Sequence, residues 1–256
     1  SEYVDGLFAL GATGEYLKLD SNERKLLMKS LAKVNKNGKK IIVNTGGGSC
    51  KEVLDLTSYA AELDFDGVAV VVPESVAADS DEILNYHQKV AEIGVPFIVY
   101  WTPYIKQKPD ASIIKKLMDI PKFVGYKDSS RDMEVFAEIC ARFGEEISVF
   151  QGVEMLHLPS LACGSSGVIG GGLNLYPGLL ASITEAFNEH KIKKAIELQQ
   201  QVTDNWFHLN KYQSFRSICK NIWQEKGIIE GTYCRVGRDD NVSIRKIDII
   251  REMFFF

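Results

Sequence analysis

An alternation along the chain restricts its fold more than any other feature. Short continuous apolar runs recur, separated by longer amphipathic stretches. The strand-like runs are GLFAL (6–10), IIVNT (41–45), GVAVVV (67–72), PFIVYW (96–101), FVGYK (123–127), ISVFQ (147–151) and GVIGG (167–171). Most are apolar throughout rather than alternating in and out, the pattern of parallel strands covered on both faces. Helical patterns fill the intervals near 21–35, 50–63, 80–93, 110–119, 132–143 and 154–163. The first carries a start signal, because Asp20 and Glu23 have capping-box spacing. From about residue 178 the pattern is helical, with breaks at Gly227, Gly231 and Gly237.

Seven such units followed by extra helices predict an α/β fold, a (β/α)8 TIM barrel with extra C-terminal helices. Residues 1–177 would supply the barrel β/α units, and 178–256 the last barrel helix and a C-terminal helical extension, together one structural domain. A barrel of this kind needs eight strands. The chain opens almost directly on what reads as a second strand, so the expectation is that the first β/α unit is missing from this sequence. A doubly wound open sheet is the competing architecture. It is disfavoured because no G-x-G-x-x-G follows the first strand.

Composition removes several function classes. The 256 residues, 45% hydrophobic and 25% charged, suit one ordinary globular domain, and a net charge of -4 gives no reason to expect nucleic acid or an anionic membrane. Cys50, Cys140, Cys163, Cys219 and Cys234 form no CxxC pair and no metal-like spacing, so they are expected to be reduced, mostly buried thiols of a cytoplasmic protein. No apolar run approaches the length of a membrane span, the opening SEYVDG lacks signal-peptide character, and the terminal MFFF is too short for an anchor. His87, His157, His190 and His208 are scattered over helical segments and suggest surface or core residues; no His/Cys/carboxylate cluster points to a metal.

In α/β barrels, functional groups collect where strands end. The relevant ends here are LGATGEY (10–16), VYWTPY (99–104), GYKDSS (125–130), FQGVEM (150–155) and the glycine-rich GVIGGGLN (167–174). Lys127 closes one of these strands. A lysine partly removed from water has a depressed pKa and can attack a ketone to form a Schiff base. On position alone, a lysine whose stem follows the strand while its ammonium reaches water is the commoner case. Tyr100 ends the preceding strand and could share a barrel mouth with Lys127, where a phenol can shuttle protons; an amphipathic rim tyrosine fits its position equally well. The turn GATGE offers backbone N–H groups and the Thr13 hydroxyl to a carboxylate, although a tight βα loop would look the same.

Taken together, these stretches resemble the dihydrodipicolinate synthase/N-acetylneuraminate lyase family of pyruvate-dependent class I aldolases. The resemblance runs from about Asp5 to at least Gln201 and continues more weakly to the C-terminus. The family's G-[TS]-T-G-E carboxylate turn is matched by Gly11-Ala12-Thr13-Gly14-Glu15, and its Y-N-x-P strand end by Tyr100-Trp101-Thr102-Pro103. Its G-x-K Schiff-base strand is matched by Gly125-Tyr126-Lys127, and a downstream glycine with acidic residues by Gly152-Val153-Glu154. The family also has about one β/α unit before the DGLF stretch.

The resemblance implies an imine between Lys127 and C2 of pyruvate or a 2-keto acid, with Tyr100 as acid/base and the Ala12-Thr13-Gly14 turn holding the carboxylate. Gly152 and Glu154 would approach the distal hydroxyls of a sugar acid, and Ile169 with the following glycines would line the pocket floor. A solvated Glu154 starting the next helix is the ordinary alternative. Departures from the family bear on substrate. Ala12 replaces a hydroxyl residue that hydrogen-bonds the tyrosine, and Glu74 and Ser75 follow Pro73 where the synthases carry paired tyrosines. Trp101 replaces the usual Asn, and YWTPYIKQK lacks the synthases' arginine. Lys106 or Lys108 could replace its charge but not its bidentate geometry.

A carbon–carbon lyase acting on a 2-keto-3-deoxy sugar acid or sialic-acid-type substrate is therefore expected. Alternatives are a dihydrodipicolinate synthase joining pyruvate and aspartate semialdehyde, a Schiff-base dehydratase, and a keto-acid-binding relative with weakened catalysis. Pocket specificity would come from Glu74, Ile105, Glu154 and the segment 170–174. No cofactor is expected beyond the covalent imine on Lys127. The expected partner is a small keto acid, with no nucleic acid and no membrane, and the resemblance implies a homo-oligomer, tetramer or dimer.

Overall fold

The computed structural model describes residues 2–33, 38–73, 75–76, 79–105, 109–212 and 215–233. Glu74, Lys106, Lys108, Cys234 and the terminal MFFF lie outside the described residues. The chain forms two compact units, Glu2–Gly170 and the segment from Gly171 onward.

The first unit holds a parallel seven-stranded sheet whose strands follow one another in chain order. They are β1 (Gly6–Ala9), β2 (Lys40–Asn44), β3 (Gly67–Val71), β4 (Phe97–Trp101), β5 (Phe123–Asp128), β6 (Ser148–Gln151) and β7 (Gly167–Val168). Parallel neighbours require crossovers, and helices supply them: α1 (Ser21–Leu31), α2 (Cys50–Glu62), α3 (Ser80–Ala91), α4 (Ala111–Leu117), α5 (Met133–Phe143) and α6 (His157–Ala162). Five of the six start on a side-chain cap. Asp20 and Ser49 form full capping boxes with Glu23 and Glu52, and Asp79, Asp110 and Asp132 cap the next three helices. Each cap satisfies N–H groups that the first turn leaves open.

The strands are apolar throughout because both faces are covered. Every residue of β3 and β4 is buried. The sheet is also curled. In a flat sheet β1 and β5, four positions apart, would be separated by roughly 19 Å, yet the Lys127 amine on β5 lies 4.1 Å from the centre of the Phe8 ring on β1. This is a TIM-like arrangement in which inward side chains from distant strands meet.

Two sequence expectations are corrected here. Val124, expected inside its strand, is 45% exposed. The register explains it: Phe97 pairs with Phe123 but Ile98 pairs with Gly125, so Val124 is the extra residue of a β-bulge. The run GVIGG shortens to Gly167–Val168, although the Ile169 N–H still reaches the Gln151 carbonyl at 2.9 Å. Three consecutive glycines at 170–172 give the strand no side chains with which to continue.

The second unit is helical, with α7 (Pro177–Asn188), α8 (Ile192–Tyr212) and α9 (Phe215–Glu225). Pro177 at the first turn suits the start of α7. The unit packs α7 along α8, and Leu180, Ile183, Ala195 and Val202 are buried.

His87 and His157 are core residues, whereas His190 and His208 are exposed. Among the four described cysteines, all free, Cys140 and Cys219 are buried and Cys163 is half-buried. Cys50 is exposed, so the expectation of mostly buried thiols holds only in part. Among the described residues no helix is long and apolar enough to cross a membrane, and no group of three or more His, Cys, Asp or Glu is placed to hold a metal ion.

Candidate active site

The bulge at Val124 determines which residue faces Tyr100. An uninterrupted register from the Phe97–Phe123 pair would set Tyr126 opposite Tyr100. The extra residue advances the strand by one, and the observed partner of Tyr100 is Lys127. Register partners in a sheet share a face, so the phenol and the amine stand side by side at the strand ends. On its other side β5 runs close to β6 at Gly125, where a Cβ would lie 2.6 Å from the Ser148 carbonyl oxygen.

Lys127 does not reach solvent; it is 6% exposed, which rejects the snorkelling alternative. Its amine lies 4.1 Å from the centroids of both the Phe8 and the Tyr100 rings. Burial pushes its pKa down to about 7, opposed by the nearby Glu154 carboxylate. The aromatic faces return part of the electrostatic stabilisation that water would give the ammonium. Near neutrality a substantial share of the amine is therefore unprotonated and nucleophilic.

The same shift makes a stability prediction. The amine titrates near 10.5 when unfolded and near 7 when folded, so its unfavourable contribution is absent above 10.5, grows as pH falls through that window, and is complete below about 7. Lys127→Met is expected to raise the thermal midpoint relative to the parent below pH 7, with the gain shrinking towards pH 10.5. Parallel melting curves across that range check it; a gain that does not shrink with rising pH would contradict the assigned pKa.

Tyr100 is 4% exposed, and its pKa is raised, chiefly by burial, with the Ser129 hydrogen bond pulling it back. Tyr104, Asp128 and Glu154 add smaller upward contributions. Glu154 is 3% exposed, so it is not the solvated helix-start residue of the alternative reading. Its carboxylate lies against Gly170, where a Cβ would sit 2.4 Å from Oε1. Its charge acts on both Lys127 and Tyr100.

The turn after β1 joins the site through Phe8. Gly11 packs on that ring, and a Cβ at Gly11 would lie 2.9 Å from Phe8 Cε1. The buried Asn44 side chain donates to the Leu10 carbonyl at 2.9 Å, and Arg24 donates to the Asn44 and Gly46 carbonyls at 2.8 and 3.0 Å. Within the turn, Glu15 N–H donates to Ala12 O at 3.2 Å and Tyr16 N–H to Gly11 O at 3.5 Å. The N–H groups of Thr13 and Gly14 have no protein partner among the described residues. They are open to an anion.

Gly152 follows β6 and donates its N–H to the Asp128 carbonyl at 2.6 Å. A Cβ there would lie 2.0 Å from Ser129 Oγ and 2.6 Å from the Asp128 carbonyl oxygen. Gly152→Ala is expected to cost about 1–3 kcal/mol of stability through overpacking, seen as a lower denaturant midpoint. An unchanged midpoint would mean that the contact relaxes freely.

The structure thus brings Lys127, Tyr100 and Glu154 into one electrostatic neighbourhood. The Ala12-Thr13-Gly14 turn adjoins it through Phe8, and Ile169 sits beside Gly170. Sequence reasoning missed Phe8 and Ser129. Ser129 lies two residues after Lys127 in a stretch already singled out. Phe8 is indistinguishable from core until the curl of the sheet is known.

A buried strand-end lysine beside a tyrosine, on a curled parallel β/α sheet, has the makings of an imine-forming lyase. A model of the Dihydrodipicolinate synthetase family matches residues 1–237, and the chain belongs to that family, whose members are pyruvate-dependent class I aldolases and lyases. The N-acetylneuraminate lyase of Clostridium perfringens is 26% identical over 234 residues, covering 91% of this chain and 80% of that protein. The 4-hydroxy-tetrahydrodipicolinate synthase of Listeria monocytogenes is 28% identical over 203 residues, covering 77% and 69% respectively. The structure of CdNal from Clostridium difficile in complex with mannosamine superposes with a TM-score of 0.90 at 24% identity, covering 98% of this chain and 86% of that one, a likeness of fold.

Proposed function

We propose that this chain is a Schiff-base class I aldolase acting on a 2-keto-3-deoxy sugar acid or sialic-acid-type substrate. One observation carries the chemistry: a lysine amine, buried and pushed down to about 7, in register beside a buried tyrosine. The unprotonated amine of Lys127 adds to the C2 carbonyl, and Tyr100 protonates the carbinolamine oxygen, which leaves as water. The resulting iminium draws in the electron pair of the C3–C4 bond as the C4 hydroxyl loses its proton. An aldehyde departs and an enamine remains. Protonation at C3 and hydrolysis release pyruvate and restore the amine. Thr13 and Gly14, whose N–H groups are open, are suited to the substrate carboxylate.

The substrate class rests on different residues. Segment 100–108 carries no arginine to pair with a second carboxylate, and Ser75 stands where a synthase carries a tyrosine. Glu154, buried and with a charge felt by both Lys127 and Tyr100, is suited to accept from substrate hydroxyls and is a poor neighbour for an acidic aldehyde. Incubation with pyruvate and borohydride, followed by peptide mass analysis, tests the imine; an unmodified Lys127 would sink it. Release of pyruvate from a panel of keto-deoxy sugar acids tests the substrate, and loss of water without C–C cleavage would indicate a dehydratase instead.

A further inference from the structure

We propose that Ser129 is a positioning residue for Tyr100, its hydroxyl donating to the phenolic oxygen and holding it beside the Lys127 amine; this rests on the Schiff-base reading above. Ser129 Oγ lies 3.4 Å from Tyr100 Oη, and Ser129 is 5% exposed. Among the described residues it is the only hydrogen-bond partner of that phenol. Its backbone is tied to the strand that carries Tyr100, because Ser129 N–H donates to the Trp101 carbonyl at 2.9 Å. That bond extends the β4–β5 ladder one step past the Trp101–Asp128 pair. Hydroxyl and phenol are therefore held by the same ladder.

The surroundings are shaped to admit this hydroxyl. Gly152 has no side chain, and a Cβ there would occupy the place of Ser129 Oγ, only 2.0 Å away. Ala12, in the turn next to Phe8, carries no hydroxyl that could take over the role. Because Ser129 is the donor, the phenolic proton stays free for the substrate oxygen. The 3.4 Å separation exceeds that of an optimised O–H···O bond. Such bonds commonly shorten once substrate fills the site. Donation to the phenolic oxygen also stabilises the phenolate formed after proton transfer, in line with the downward pull of Ser129 on the tyrosine.

The test is a double-mutant cycle read by the rate of borohydride-trapped pyruvate adduct at Lys127 across pH. Ser129→Ala is expected to slow trapping about tenfold, the effect of one hydrogen bond, and to move the alkaline limb of the profile to higher pH. In a Tyr100→Phe background the same change is expected to have no further effect. Ser129→Cys, with its weak donor, is expected to give the same pattern and replaces Ser129→Ala if that variant does not fold. An unchanged rate and profile in the Tyr100 background, or an equal loss in both backgrounds, would overturn the proposal while a parent adduct leaves the Schiff-base reading intact. No adduct in the parent would overturn both.

Discussion

Lys127→Ala is expected to abolish the pyruvate adduct and to lower kcat/KM for C–C cleavage by about 10⁴-fold or more. The magnitude follows from what the amine does. It supplies both the nucleophile and the cationic nitrogen that receives electrons as the bond breaks, and no other described lysine is buried. Lys127→Arg is expected to be nearly as damaging, because a guanidinium keeps the charge but is not deprotonated in proteins. Fold should survive in Lys127→Met, which removes a buried charge from between the Phe8 and Tyr100 rings. An inactive but more stable protein is the signature of a lysine retained for chemistry. Residual cleavage within tenfold of the parent would place the nucleophile elsewhere.

Tyr100→Phe is expected to lower the rate of imine formation by about 10²–10⁴-fold, the usual range for a positioned acid/base. The ring stays, so its edge contact with Phe8 at 6.1 Å and its face over the Lys127 amine are retained. Only the hydroxyl is lost, together with its bond to Ser129. The variant should therefore fold normally and still bind a keto acid, so the loss falls on kcat rather than KM. Single-turnover trapping separates the two. A variant that forms the adduct at the parent rate would remove Tyr100 from the proton path.

What could be seen in the sequence follows local physics. Continuous apolar runs mark strands covered on both faces, and six of the seven expected strands appear within one or two residues of their runs. The Asp20–Glu23 box was legible because capping needs only three residues of spacing. Lys127 and Tyr100 were legible as strand-end residues that could share one barrel mouth, but their direct register pairing was not. It depends on the bulge at Val124, and the isolated Gly125 inside a strand was the one local hint of it. Glu154 changed from an ambiguous helix-start residue to a buried acid, packed against Gly170 of another segment, a contact that local sequence does not encode. Ser129 and Phe8 gain their roles through contacts across strands that no local pattern encodes.

The central claim is that Lys127 is an imine-forming nucleophile. It is tested most directly by incubating the protein with pyruvate near neutral pH, reducing with borohydride, and sequencing the modified peptide by mass spectrometry. The expected result is a single reduced pyruvate adduct on Lys127, absent from Lys127→Ala. An unmodified Lys127, or an adduct borne by another lysine, would contradict it.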